Sequence, residues 1–335
     1  MLESKMRFFR WLVVGAELIT LLLTWQLWQN RPTPPLLPLL PLPAIDLGAM
    51  LIGSLLLILV RPKIGIALHT LLMLYALLID QTRWQPQIIS FLFLLWGTLP
   101  NLNFQMIARA HLIALWLWTG IHKLLSPGFL NVIGADMLRP ILPEFAYGLL
   151  PFAGYVIATT ELLTGILAIL PRTRRLAGIM AWGLHMGIFL TLAAQDWNHS
   201  VYAWNVVLAL SGFVFITTWR ETPLKTLRQC RPLVRVIAIL LVIMPAGFYV
   251  GIVDAYLAHS LYTPNTPLAS SDATSFYATW FELGVPLPPE HRLFEQYFQR
   301  TCDAGDKLMI RDSRYWFVAQ GQSVRDILCT QAPDS

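Results

Sequence analysis

Charge is what this sequence has least of. Only 13% of its 335 residues are Asp, Glu, Lys or Arg, roughly half the share of an ordinary soluble domain. That shortage excludes a soluble globular enzyme. Cysteine is scarce as well, three in all, which excludes a disulfide-dense secreted scaffold. Disorder is excluded from the opposite direction, because 56% of the residues are hydrophobic and such a chain buries apolar surface. Motifs are missing too. No His-Glu-x-x-His or Cys-x-x-Cys spacing marks a metal site, and no glycine-rich loop cradles phosphate. No Gly-x-Ser-x-Gly elbow presents a nucleophile. The basic segment 220–235 reads as a topogenic, lipid-facing cluster, so no nucleic-acid partner is expected.

Long apolar runs are what the chain does have. A spanning helix needs about 20 mostly apolar residues. Stretches of that kind lie at 8–28, 44–60, 64–80, 87–100, 106–125, 145–170, 176–194, 201–219 and 236–257. The fourth is short and ends at Pro100, as a tilted or a re-entrant segment would. The first has a basic start (Lys5, Arg7, Arg10), like a signal peptide. No small-residue cleavage site follows, so it reads as a retained helix. The expected fold is an all-α multipass transmembrane helical bundle of about nine spans over residues 1–257. A small α+β extracytoplasmic domain over 258–335 follows it.

Charge sets the expected orientation. With a cytoplasmic N-terminus and nine alternating spans, the inner segments hold Lys5, Arg7, Arg10, Arg61, Lys63, Arg109, Arg172, Arg174, Arg175, Arg220, Lys225, Arg228, Arg231 and Arg235. The outer loops between spans hold Arg31, Arg83, Lys123 and Arg139. This is a strong positive-inside bias. It puts the C-terminus outside, in an integral inner or plasma membrane protein. Cys302 and Cys329 then share an oxidising compartment, where a disulfide persists. Cys230 falls in the basic inner loop as a free thiol.

Within the tail, Leu293, Phe294, Tyr297 and Phe298 form one stripe of an amphipathic helix over 290–301, and 307–311 and 314–319 read as strands. Residues 260–275 are turn-rich. Upstream, 31–43 contains six prolines and reads as an extended strap or a stiff linker. The loop 126–144 carries apolar residues at helical spacing and reads as a short amphipathic helix.

An ionisable group at membrane depth is costly, so each one raises a site hypothesis. These groups are Glu17, His69, Arg109, His111, His122, Lys123, Glu161 and His185. Glu17 requires a basic partner on a neighbouring helix or a proton. Spacings of seven and four put His111, Trp118 and His122 on one helical face. Lys123 at the outer end of that helix reads as an anchor snorkelling to headgroups. The competing role is a desolvated base. Glu161 suits a polar cavity or a structural hydrogen bond, and His185 a hydrogen-bonded core position.

Residues 109–124, Arg-Ala-His-Leu-Ile-Ala-Leu-Trp-Leu-Trp-Thr-Gly-Ile-His-Lys-Leu, then Ser-Pro-Gly-Phe129, resemble the vitamin K-dependent γ-carboxylase-like (HTTM) membrane family. Glu161, His185 and Asp80-x-x-x-Trp84 extend the likeness. Gly120-x-x-Lys123 with an intramembrane Glu is similar to DoxX/MauE-type membrane proteins as well. The γ-carboxylase-like resemblance implies Lys123 as the base of quinone-linked chemistry. His122 and Glu161 would be its catalytic companions, His111, Trp118 and His185 the substrate- or cofactor-binding residues, and a lipophilic quinone the cofactor. The sequence departs from that pattern at His122, which replaces a Lys of a Lys-Lys pair, and at Pro86-Gln87, which stand where a His is expected.

Three functions follow. The leading one is a non-enzymatic accessory or scaffold in the lipid bilayer, whose outer domain docks a partner protein through Tyr297, Phe298 and Trp316. The others are a quinone-linked enzyme using Lys123 and a transporter. The topology is checked by cysteine labelling: a cysteine at Ser335 reacts from outside and one at Arg228 from inside, and the reverse pattern overturns the orientation.

Overall fold

The structure is a computed structural model that describes residues 2–272, 274–314 and 323–330. The expected strand at 314–319 and Trp316 fall largely outside this set. Thirteen α-helices appear among the described residues. The first nine are α1 (Leu2–Leu23), α2 (Gly48–Val60), α3 (Pro62–Ile79), α4 (Pro86–Gly97), α5 (Leu102–Leu124), α6 (Gly134–Leu138), α7 (Ala153–Ile169), α8 (Arg174–Ala194) and α9 (Tyr202–Ser211). The last four are α10 (Pro223–Gln229), α11 (Pro232–Ile243), α12 (Ala278–Leu283) and α13 (His291–Thr301). Proline opens α3, α4, α10 and α11, where its missing N–H costs nothing.

Among the described residues, five helical stretches are long and apolar enough to cross a membrane: Pro62–Ile79, Glu144–Ile169, Arg174–Ala194, His199–Ile216 and Pro232–Val250. The expected nine are not reached, for two physical reasons. With 13 and 12 residues, α2 and α4 rise only about 20 Å. Helices α1 and α5 are long enough, but Arg7, Arg10 and Glu17 on one and Arg109, His111, His122 and Lys123 on the other make them less apolar. The last stretch also stops short of the expected 257, at Val250, because Gly251 takes a left-handed turn with φ 72°.

Basic side chains gather at one end of the bundle. Arg10 donates to Thr98, Arg109 to the Phe215 carbonyl, and Arg174 to the Trp219 carbonyl. The Trp219 ring lies 5.1 Å from Arg109 and 3.9 Å from Arg174, two cation–π contacts on one indole. The opposite end carries the tail. There Asp80 pairs with Arg31 at 2.7 Å and accepts the Leu37 and Thr82 amides. The Asp80-x-x-x-Trp84 segment is thus a corner that captures the proline-rich strap. Leu37 of that strap is buried in the core of the tail.

The tail builds a sheet of β1 (Pro267–Ser271), β2 (Lys307–Asp312) and β3 (Ser323–Leu328), antiparallel in the order β1-β2-β3. Ile310 of β2 sits opposite Ala269 and Arg325. Leu293, Phe294, Tyr297 and Phe298 of α13 pack onto Leu308 and Ile310. The expectation that Tyr297 and Phe298 expose a docking patch is therefore overturned; they are 3% and 0% exposed because the sheet covers them. The Cys302–Cys329 disulfide is present, with Cα atoms 6.1 Å apart and a sequence separation of 27. A loop of that length is worth about 3–4 kcal/mol in chain entropy. Cys230 is free and buried.

Glu290 fastens the tail to the bundle, accepting the Ala255 amide at 2.6 Å with Arg314 3.8 Å away. Burial pushes its pKa up to about 7, against the pull of the amide and of Arg314. Asp312 behaves oppositely. Burial would raise it, but hydrogen bonds from His291 and Arg314 outweigh burial and hold it well below the usual range. An acid raised on folding destabilises the fold progressively above its unfolded value. The tail is therefore expected to lose stability as pH climbs from 4.5 to about 7. The Asp312 contribution is present above the ordinary carboxylate range and is lost in strong acid. Hydrogen exchange across 267–312 measured against pH checks this: Glu290→Gln flattens the loss on the neutral side and leaves the acid limb intact.

Candidate functional site

Helix α5 is the axis of the bundle, and its most extensive partner is α7. Small residues set their separation. A Cβ on Gly120 would collide with the Leu162 amide nitrogen, and one on Gly165 would meet the Leu117 amide nitrogen at 2.8 Å. One turn beyond Gly120, this approach lets Lys123 Nζ donate to Glu161 Oε2 at 2.7 Å. The two side chains are 3% and 4% exposed. Lys123 is therefore not a headgroup anchor, as its place at the helix end led us to expect. It is turned inward and sealed by α7 and by the Phe129 ring, 5.4 Å away.

The other expected residues are engaged as well, although His111 Nδ1 and Glu17 Oε2 are buried without a hydrogen-bond partner among the described residues. His122 Nε2 donates to the Ala258 carbonyl at 2.8 Å, so Nδ1 accepts the Tyr249 hydroxyl at 2.6 Å. Trp118 donates to the Val242 carbonyl at 2.7 Å. His111 Nε2 bonds Ser90 at 2.9 Å, and its ring meets that of His259 edge-on at 5.4 Å. These three do share a face, and α11 with segment 249–259 covers it. His185 Nε2 accepts from Trp116, which leaves Nδ1–H to donate to Asn205, a locked neutral tautomer. Glu17 finds the basic partner it needs: His69 Nε2 lies 2.9 Å from it, and His69 Nδ1 lies 2.8 Å from Ser54. No group of three metal-ligating side chains occurs among the described residues.

The open space lies elsewhere, between the bundle and the tail. A cavity of about 720 Å³ is walled by Trp197, Tyr256, Tyr262, Phe276, Tyr277, Trp280 and Phe294, with Asp136 as its one ionised side chain. A smaller pocket of about 200 Å³ shares Trp197, Tyr256, Tyr262, Trp280 and Pro286 with it and runs inward past Gln87, Asn198 and Trp204. None of Lys123, His122, Glu161, His111, Trp118 or His185 lines either space. Trp197 and Trp280 stack at 5.5 Å. Asn198 donates to the Tyr262 hydroxyl at 3.1 Å. Burial pushes the Tyr262 phenol up, which keeps it protonated and polar without charge.

Residues 101–203 match the family model described as methylamine utilisation protein MauE. No curated protein and no solved structure matches the chain. The MauE match begins one residue before α5 and ends at the start of α9. It contains Gly120, Lys123, Glu161 and His185, and it includes Trp197 and Asn198 of the cavity wall. The likeness to γ-carboxylase-like proteins finds no support beside it; the MauE-type alternative is the closer one. The five long apolar stretches and the apolar composition mark an integral membrane protein.

Sequence reasoning missed the cavity because its wall comes from segments 195–204 and 256–294, which are far apart in the chain. One signal was legible only in part: Asp196, Asn198, His259 and Tyr262 all adopt left-handed backbone, φ 51–63°. Non-glycine residues in that region cluster at functional sites, and Asn and Asp adopt it most readily.

Removing one partner of a buried ion pair costs about 3–5 kcal/mol, whereas replacing both with apolar groups is close to neutral. Lys123→Met and Glu161→Leu should each lower thermal stability by that amount, and the double variant should recover most of it. Thermal melts in mild detergent measure the effect. Additive losses would dismiss the pair as the clamp between α5 and α7.

Proposed function

We propose that this is a non-catalytic binding component of the membrane that holds a small apolar molecule in the aromatic cavity between bundle and tail. The observation that carries the reading is the cavity's character: large, walled by aromatic rings, sharing five wall residues with an inner pocket and nearly free of charged groups. That is how small-molecule sites are built. The buried residues Lys123, Glu161, His122, His111, Trp118 and His185 then serve as internal ties that keep α5, α7, α8 and α11 in register beneath it.

In the same reading the chain is a multipass membrane protein, with α1 among its crossing helices, a cytoplasmic N-terminus and an extracytoplasmic domain over 258–335. Two observations support this. The basic cluster at one end of the bundle obeys the positive-inside rule, and the disulfide at the other end suits an oxidising compartment. The match over residues 101–203 to a family described as methylamine utilisation protein supports a role in the handling of a small molecule.

Lys123 as a base is the second reading, favoured by its burial. It requires a reactant to reach the pair and Glu161 to release the ammonium.

Mass spectrometry of small molecules that co-purify in mild detergent separates the two. In the binding reading, Trp197→Ala and Trp280→Ala lose the bound molecule while Lys123→Met/Glu161→Leu retains it. Loss confined to the ion-pair variant would transfer the site to Lys123 and overturn the proposal.

A further inference from the structure

The tail helix α12 stands at the rim of this cavity and is fixed there by its neighbours. Leu283, and Val285 just beyond it, belong to the same hydrophobic core as the bundle. Thr279 is fully buried. Trp280 stacks on Trp197. Gly284 takes φ +70°, and a Cβ there would sit 3.2 Å from the Leu23 carbonyl at the end of α1. The helix also contacts the short turn Trp25–Trp28 that ends that span. Its height along the bundle is thereby set at the point where α1 terminates.

Opposite this anchored side, Tyr277 and Phe281 are 74% and 82% exposed. They are four residues apart and so share one face of the helix. Two large aromatic side chains presented to water from a six-residue helix need a partner. At the end of α1 that meets Gly284, Ile19, Leu22 and Leu23 are 51%, 60% and 52% exposed and form an apolar flank. With α1, 22 residues long, taken as a crossing helix, that flank faces lipid, and Tyr277 and Phe281 continue it at the level of the interface, where aromatic residues concentrate.

We infer that α12 docks on the extracytoplasmic leaflet through Tyr277 and Phe281, so that the cavity bordered by Tyr277 and Trp280 takes its ligand from the lipid phase. The ligand class is then an apolar molecule that partitions into the bilayer. This rests on the binding reading above for the ligand, but the docking of α12 stands on its own geometry.

The full-length protein in phosphatidylcholine nanodiscs tests it. A bimane label is placed at Phe281→Cys, at Tyr277→Cys and, on the polar side of the helix, at Glu282→Cys. Each is challenged with acyl-chain nitroxide lipid and with aqueous iodide. Docking predicts that fluorescence at 281 and 277 is lost to the lipid nitroxide and spared by iodide, with the order reversed at 282. Full iodide quenching at 281 and 277 would overturn the inference. Protection from both quenchers would overturn it too, since a protein would then cover the face. A lipid-quenched 281 in a protein that retains no small molecule supports the docking and sinks the cavity reading, so the two failures are distinguishable.

Discussion

A single ammonium–carboxylate contact inside the bundle constrains much of the rest. Lys123 and Glu161 are both beyond the reach of water, and neither can stay ionised there without the other. The contact forms because Gly120 and Gly165 let two backbones approach as no residue with a Cβ would allow. Once α5 and α7 are fixed this way, Trp118 reaches α11, His122 reaches Tyr249 and Ala258 beyond it, and His185 and Trp116 tie α8 to α5. The same logic recurs at Glu17 and His69, where an acid and an imidazole satisfy each other between α1 and α3. Polar groups in this bundle act as ties whose loss would leave a charge stranded in a low-dielectric interior.

This explains why residues that read as chemistry in the sequence are closed in the structure. A base needs an open approach and a free lone pair. Lys123 is engaged, and both nitrogens of His122 and of His185 have partners. The aromatic cavity proposed to hold a ligand lies one layer further out, where the bundle no longer packs against itself and the tail settles over it. The strain of four left-handed non-glycine residues is concentrated there, as expected where the chain is shaped for a purpose other than stability.

The tail is held to the bundle by several separate devices. Asp80 captures the strap that inserts Leu37 into the tail core. Arg292 forks onto Asp254 and bonds Gln81. Glu290 accepts the Ala255 amide. Leu283 and Val285 join the core of the bundle. These ties make the cavity wall a composite of membrane helices and tail, which suits a site that must be rigid on one side and accessible from the lipid on the other.

Hydropathy and charge alone determined the class of the protein, the rough positions of the apolar helices, the amphipathic α13 and the Cys302–Cys329 bridge. Each of those rests on local composition or on a compartment argument. The pairing of Glu17 with a basic group was also legible, because a lone buried carboxylate must be neutralised. Tertiary structure decided the rest. The inward turn of Lys123 depended on how closely Gly120 lets α7 approach, which no single helix records. The strands Pro267–Ser271 and Ser323–Leu328 form only when β2 lies between them. The burial of Tyr297 and Phe298 followed from that sheet. The aromatic cavity draws on side chains from segments 133–137, 195–197 and 256–294, which are distant in the chain, and proximity in space is the one property that a linear pattern of residues does not contain.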